Sequence, residues 1–303
     1  MRILLTGAKG QLGQSIKARL PENWELIATD SKTLNITDYD TVLNMMQSFQ
    51  PDAIINAAGY TSTIQSDEHR QKAFAVNADG TRNLAQAAKA VGAKFIHIST
   101  DYVFNGYSRI PYTETDAPNP QGIYGQSKLA GELLALTTGA NVLIIRTAWI
   151  FSEYGNNTVK TLLRQAAEGN EIRLVDNQAG CPTYAGDLAD AIIQLLQLPD
   201  FPHGILHYCG DHALSAYKFA QAVFKAESER NPAFVMPPLT AISMAELNPQ
   251  SRRPQYSALN GDKARSLGLT PSDWQKALPQ VLAAIAQAYS NAVFNIRQLH
   301  TGE

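Results

Sequence analysis

Cysteine is nearly absent from the 303-residue chain: Cys181 and Cys209 are the only two, in neither Cys-x-x-Cys nor Cys/His spacing. That argues against a disulfide framework or a zinc site, and both are read as packing residues. Charge of one sign is lacking too, with 25 Lys and Arg against 27 acids and a formal net charge of -2. Such a balance gives no footprint for a nucleic-acid binder or a polybasic membrane anchor. Long apolar runs are missing. Only Ile3-Leu4-Leu5 separates Met1-Arg2 from Thr6-Gly7, too little for a secretory signal, and nowhere do roughly 18 apolar residues run together. The expectation is a cytoplasmic protein with no nucleic-acid or membrane partner. There is no internal repeat and no low-complexity tract. With 45% hydrophobic and 17% charged residues, the composition is that of a globular chain of one or two domains.

What is present is an alternation of short β-branched runs with longer segments of helical period. Strands are expected at Arg2–Leu5, Glu25–Ala28, Ala53–Asn56, Lys94–Ile98 and Val142–Arg146. Helices are expected at Gln11–Arg19, Tyr39–Ser48, Gln71–Val91 and Tyr124–Leu136. Repeated βα units predict an α/β fold, a doubly wound parallel sheet covered on both faces and joined by right-handed crossovers. After Trp149 the rhythm loosens and prolines punctuate shorter elements. A dinucleotide-binding domain over 1–148 is therefore expected, followed by a smaller α-rich domain over 149–303 that returns some segments to the first. Ser272 is a plausible N-cap for the last helix, with Asp273 in its first turn, and Pro279 should kink or break it.

Two constellations carry chemistry. Gly7-Ala8-Lys9-Gly10-Gln11-Leu12-Gly13 follows the first strand and opens the first helix, where glycines admit a pyrophosphate and the helix N-terminus offers free N–H groups. Its G-x-x-G-x-x-G spacing departs from the G-x-G-x-x-G fingerprint. Asp30, roughly 20 residues on, stands where an acid can accept hydrogen bonds from the adenosine ribose. The second constellation is Tyr124 and Lys128, four apart on one helix face, with Ser99-Thr100 at the carboxyl edge of the sheet. A tyrosine of ordinary pKa near 10 is a poor acid–base group, but a nearby ammonium would stabilise its phenolate.

Further runs extend the pattern: Asn56-Ala57-Ala58-Gly59-Tyr60-Thr61, Asn77, Ser99-Thr100-Asp101-Tyr102-Val103-Phe104, Tyr124 to Glu132, Arg146-Thr147-Ala148-Trp149, Asp176 to Thr183, and Arg252-Arg253-Pro254. With these the chain resembles the extended short-chain dehydrogenases, and within them the dTDP-4-dehydrorhamnose reductases. The resemblance implies a Rossmann-type fold with NADPH or NADH as cofactor and a dTDP-sugar as substrate. Tyr124 would donate a proton to the C4 carbonyl oxygen. Lys128 would lower the tyrosine pKa and hold the nicotinamide ribose, and Thr100 would hydrogen-bond the developing alkoxide. Gly7, Gly10, Gln11, Leu12 and Gly13 would form the pyrophosphate loop, Asp30 would meet the ribose, and Asn35 and Ile36 the adenine. Gly59, Tyr60 and Thr61 would run toward the nicotinamide. Asp101 and Trp149 would line the sugar pocket, and Arg253 would grip the diphosphate. Trp149 as a core aromatic and Arg253 in a surface ion pair are the plainer readings.

Departures from the family pattern sharpen these expectations. Thr61 is followed by Ser62-Thr63-Ile64-Gln65-Ser66-Asp67 instead of Val-Asp-x-Ala-Glu. Ile98 replaces an aromatic that precedes Ser-Thr in some relatives. Ser15 stands where some members carry a glutamate that binds magnesium at a dimer contact, so no metal is expected, although a homodimer stays open. Asp187 and Asp190 could supply carboxylates from another face, but helix N-terminal charge is their commoner role. Lys32 lies near enough to Asp30 to offset a 2′-phosphate, so both cofactors are expected to work. Two other readings stay open: another nucleotide-sugar reductase, epimerase or dehydratase, and a non-catalytic NADP-binding subunit resembling that of methionine adenosyltransferase.

Overall fold

The structure, a computed structural model, describes residues 1–246 and 253–300, the side chains only as far as 291. Its first half runs β1 (Arg2–Thr6), α1 (Gln11–Arg19), β2 (Glu25–Ala28), α2 (Tyr39–Phe49), β3 (Ala53–Asn56), α3 (Thr63–Glu68), α4 (Arg70–Phe74), α5 (Gly80–Val91), β4 (Lys94–Thr100), α6 (Ile123–Thr137) and β5 (Asn141–Thr147). The second half runs β6 (Ile150–Phe151), α7 (Thr158–Glu168), β7 (Ile172–Val175), β8 (Ala179–Gly180), β9 (Thr183–Tyr184), α8 (Ala185–Gln197), β10 (Gly204–His207), β11 (Leu214–Ser215), α9 (Ala216–Arg230), β12 (Leu239–Ile242), α10 (Asp262–Ser266) and α11 (Trp274–His300).

Six strands form one parallel sheet in the order β10-β5-β4-β3-β1-β2. Strand residues alternate between its faces. Ile3 and Leu5 pack with Leu12 and Ile16 of α1 and Leu188 and Ile192 of α8, while Leu4 and Ile54 pack with Val42 and Met46 of α2 and Leu84 of α5. Each such buried aliphatic side chain contributes about 1.5–3 kcal/mol, so both faces must be covered. The register sets Thr6 beside Asn56 and Thr100 beside Thr147, bringing four carboxyl ends to one edge. The sixth strand, β10, comes from the second half of the chain.

Around Phe151, Phe219, Phe224, Trp274, Leu278 and Val281 the second half builds a core of its own. Three local expectations change. Asp273, whose Oδ1 accepts Lys276 N–H at 3.1 Å, caps α11; Ser272 instead accepts Tyr184 N–H and donates to Asp187. Pro279 lies inside α11 without ending it, because Ala277, Leu278, Val281, Leu282 and Ile285 are buried in the same core as Phe219, Val223 and Phe224 of α9. That burial outweighs the roughly 3 kcal/mol of an interior proline. The helical stretch Gln71–Val91 is interrupted by a π-helical turn at Ala75–Asp79. No helix among the described residues is long and apolar enough to cross a membrane.

Candidate active site

The carboxyl edge of the sheet opens into a cavity of about 1040 Å³. Gly7, Gly10, Gln11, Leu12, Asp30, Asn35, Ile36, Gly59, Tyr60, Thr61, Thr100, Asp101, Tyr124, Lys128, Trp149 and Arg253 all line it. Of the expected site residues, Gly13 does not. It is buried beneath the glycine loop, where a β-carbon would lie 2.3 Å from Gly7 O, so it serves the packing of loop on helix. Gly7 holds φ at +69°, and a β-carbon there would sit 2.5 Å from the Ala57 backbone. No side chain caps the N-terminus of α1, which leaves first-turn N–H groups free for an anion. The loop therefore fits a dinucleotide pyrophosphate. Gln11 ties it to the second half, accepting Ser152 Oγ at 3.1 Å and reaching Ile150 O at 3.4 Å.

Asp30 is held differently from expectation. Its Oδ1 accepts the N–H groups of Lys32 and Thr33 at 2.9 and 3.1 Å, and Oδ2 pairs with Lys9 of the glycine loop. The Lys9 contact, followed by these hydrogen bonds, drives its pKa well below the usual carboxylate range. Lys9, which sequence reasoning passed over, is thus the cation beside Asp30, while Lys32 contributes its backbone.

Thr100 ends β4, and Asp101 begins a single 3₁₀ turn that Thr100 Oγ1 caps by accepting Tyr102 N–H at 3.2 Å. Thr100 Oγ1 donates to Asp101 Oδ1 at 3.1 Å, and Ser257 Oγ donates to Oδ2 at 2.5 Å. Burial lifts the Asp101 carboxyl to about 6 against those hydrogen bonds. Tyr124 stands in the first turn of α6, its ring edge-on to Tyr102 at 5.6 Å. Burial of its hydroxyl raises its pKa, only partly opposed by hydrogen bonding with Thr100, and Asp101 pushes it the same way. The group is a phenol at neutral pH, suited to giving a proton.

Lys128 lies one turn on but does not turn to the tyrosine. Its Nζ donates to Ile98 O at 2.6 Å and lies 3.1 Å from His97 Nε2. The expected lowering of the Tyr124 pKa by an adjacent ammonium is therefore absent from this geometry. Behind both, Glu132 accepts Arg146 through Nε at 3.0 Å and Nη2 at 2.7 Å, and also Ser99 Oγ. This buried pair joins α6 to β4 and β5. Asn77, on the π turn, accepts Tyr60 N–H at 2.7 Å and donates to Ser127 Oγ at 3.0 Å, so the turn fixes the Gly59–Thr61 segment against α6. The altered segment after Thr61 is the helix α3, whose Asp67 accepts Ile123 N–H at 3.2 Å.

Trp149 holds a left-handed backbone, φ +46°, a strain of about 1–3 kcal/mol for such a residue. Its indole lies over Gly180, where a β-carbon would come within 2.5 Å of the ring. Only glycine lets the ring lie there. Arg253 is exposed on the cavity wall, and its charge acts on Tyr102; Arg252 lies outside the described residues. Ser15 Oγ is buried without a partner. Asp187 accepts Ser272 Oγ at 2.7 Å, and Asp190 pairs with Arg19 at 3.4 Å. Among the described residues, no group of three or more His, Cys, Asp or Glu is placed to hold a metal.

A doubly wound sheet, a glycine loop entering α1 and a Tyr-x-x-x-Lys helix beside Thr100 define an extended short-chain dehydrogenase fold. The model of the RmlD substrate binding domain family matches residues 1–287, and the chain belongs to that family. It is 41% identical to a dTDP-4-dehydrorhamnose reductase of Aggregatibacter actinomycetemcomitans over 289 residues, covering 93% of this chain and 98% of that one. It is also 36% identical to a probable dTDP-4,6-dihydroxy-2-methyloxan-3-one 4-ketoreductase of Streptomyces antibioticus, covering 94% and 97%. A crystal structure of a Bacillus anthracis dTDP-4-dehydrorhamnose reductase in complex with NADP superposes with a TM-score of 0.87 at 35% identity, covering 93% and 98%.

Proposed function

We propose that this chain reduces the C4 keto group of dTDP-4-dehydro-6-deoxy-L-mannose with NADPH or NADH, giving dTDP-L-rhamnose for polysaccharide synthesis. The observation that carries the reading is the half-buried Tyr124, kept a phenol beside Thr100, in the cavity that also holds the glycine loop. The named relatives support the substrate. Gly7, Gly10, Gln11 and Leu12 would hold the pyrophosphate, Asp30 and Lys9 the adenosine ribose, Asn35 and Ile36 the adenine, and Gly59 to Thr61 the passage toward the nicotinamide. When bound, the reduced nicotinamide supplies the hydride for C4. Tyr124 gives its proton to the C4 oxygen, and Thr100 hydrogen-bonds that oxygen as charge develops. Asp101 and Trp149 bound the sugar, and Arg253 meets the diphosphate. In this assignment residues 1–148 carry the cofactor and 149–303 mainly the sugar, in a cytoplasmic enzyme that pairs as a homodimer.

A second reading keeps the chemistry and changes the sugar, as the Streptomyces relative suggests. One experiment separates them: nicotinamide absorbance is followed with a panel of dTDP-4-keto sugars, beside sedimentation for the dimer. Fastest turnover on the 4-dehydrorhamnose substrate is expected. Preference for another keto sugar selects the second reading, and cofactor binding without turnover on any sugar refutes both.

A further inference from the structure

Gln178 lines the cavity together with Arg253, is only 3% exposed, and has no part in the chemistry above. The backbone that follows Arg253 explains its placement. Pro254 has no N–H to give, so the chain just after the arginine can be tied down only through its carbonyl. Gln178 Nε2 donates to that carbonyl at 3.1 Å, and because a carbonyl oxygen only accepts, the contact sets the orientation of the amide. The residues beyond are held by main chain from the same side. Ala179 N–H donates to Gln255 O at 2.8 Å, and Ser257 N–H to Ala179 O at 2.9 Å. From the opposite side Gly106 O accepts Tyr256 N–H at 3.1 Å. Gly106 holds φ at +83°, and a β-carbon there would lie 2.5 Å from Gln255 N and 2.6 Å from Pro254 Cα, so only glycine lets this strap lie flat. Ser257 Oγ fastens its far end to Asp101 Oδ2.

We propose that Gln178 is the positioning residue for Arg253: by holding the Pro254 carbonyl it fixes where the guanidinium meets the diphosphate of the sugar nucleotide. The inference rests on the reductase reading and deepens it. A long side chain gives up rotamer freedom when it grips a ligand, and a loose backbone beneath it would give up its own freedom as well. The strap removes that second cost before the ligand arrives. Pro254 assists, since the residue before a proline is confined to extended backbone. Gln178 is itself firmly mounted. The next residue begins β8, which pairs with β11, Ala179 opposite Ser215 and Gly180 opposite Leu214. Gly180 is also the seat of the Trp149 indole. One short strand thus joins the seat of the tryptophan to the amide that holds the arginine. Gln178 acts through Arg253 and not on the reacting atoms.

The test is a double-mutant cycle read by calorimetric titration of dTDP into the NADPH-loaded protein. Gln178→Met keeps the length of the side chain and removes the donor. It should weaken dTDP binding about tenfold, as Arg253→Ala should, with NADPH affinity unchanged in both. The double variant should bind dTDP within about twofold of Arg253→Ala alone, because the amide has no other route to the ligand. Losses that multiply, or a Gln178→Met protein that binds dTDP like the wild type, overturn the proposal. So does Arg253→Ala with unchanged dTDP affinity. If Gln178→Met does not fold, Gly106→Ala displaces Pro254 from the other side and closes the same cycle with Arg253→Ala, with the same outcomes. Wild-type protein that takes NADPH but no dTDP would sink the reductase reading and the proposal with it, whereas multiplying losses leave that reading standing.

Discussion

Replacing Asp101 by Asn should change how stability depends on pH, by an amount the structure sets. The carboxyl is 2% exposed, and burial lifts its pKa from 3.8 to about 6. The folded chain therefore binds this proton more tightly than the unfolded one. At about 1.4 kcal/mol per unit, the two-unit difference is worth about 3 kcal/mol. The sign follows. The penalty for burying the charge is absent below the unfolded pKa, grows as pH rises toward 6, and is complete above it. Two buried histidines run the other way. His97 lies far below its ordinary pKa and His207 is pushed down to about 3, both chiefly by burial, so they destabilise the folded chain as pH falls below about 6.5. The wild-type profile sums these opposed slopes, and only the difference between variant and wild type isolates Asp101. An asparagine keeps the shape and forfeits roughly 1 kcal/mol of hydrogen bonding at every pH. Urea unfolding of both proteins should show the variant gaining about 3 kcal/mol relative to wild type between about pH 4 and pH 7. Parallel profiles would refute the burial reasoning, since an ordinary carboxylate contributes no slope in that window.

Other outcomes follow from single contacts. Tyr124→Phe should lose about two to four orders of magnitude in turnover with cofactor affinity kept, measured by steady-state kinetics and nucleotide titration. Near-normal turnover would remove Tyr124 as the acid. Lys9→Ala should shift the NADPH to NADH ratio of kcat/KM toward NADH by about tenfold, and Asp30→Ala should shift it toward NADPH. Glu132→Ala should cost about 3–5 kcal/mol in denaturant unfolding, because it strands the Arg146 charge in the interior. Gly180→Ala should push the Trp149 indole off its seat, raising KM for the sugar about tenfold or more with cofactor binding intact.

Much of the sheet was legible because its inner strands β1, β3, β4 and β5 are buried on both faces and read as short β-branched runs. The strand expected at Glu25–Ala28 has the bounds observed, and those at Ala53–Asn56 agree as well. Residues that answer to local chemistry were also legible. Sixteen of the seventeen expected site residues line one cavity, and Gly13 is the exception. What stayed hidden depends on contacts between distant segments. The π turn holding Asn77 looks like unbroken helix, since i→i+5 bonding leaves no composition signal. Asp273 and Ser272 are both good caps, and only the pull of Tyr184 N–H and Asp187 on Ser272 decides between them. His97 lies in a strand whose pattern says only that it is buried. Its partners come from β3 and α6, 41 and 31 residues away.

Cofactor choice shows how a single-residue rule changes once its neighbours are placed. An acid after the second strand is commonly read as selecting a free ribose 2′-hydroxyl and repelling a 2′-phosphate. Here Oδ1 of Asp30 already accepts two backbone N–H groups from its own turn and lies 3.2 Å from Thr33 Oγ1, while Oδ2 is paired with Lys9. A carboxylate so occupied has less to offer an incoming hydroxyl, and the lysine beside it cancels most of the charge a phosphate would meet. Lys9 is 75% exposed at its side chain, so it can leave Asp30 for a 2′-phosphate at little cost in packing. On the proposed assignment the same two residues would serve either ligand: Asp30 with its turn for the hydroxyl, and Lys9 released from it for the phosphate. Dual use of NADH and NADPH then requires both side chains, and the double variant Lys9→Ala with Asp30→Ala should bind both nucleotides more weakly and discriminate less than either single variant.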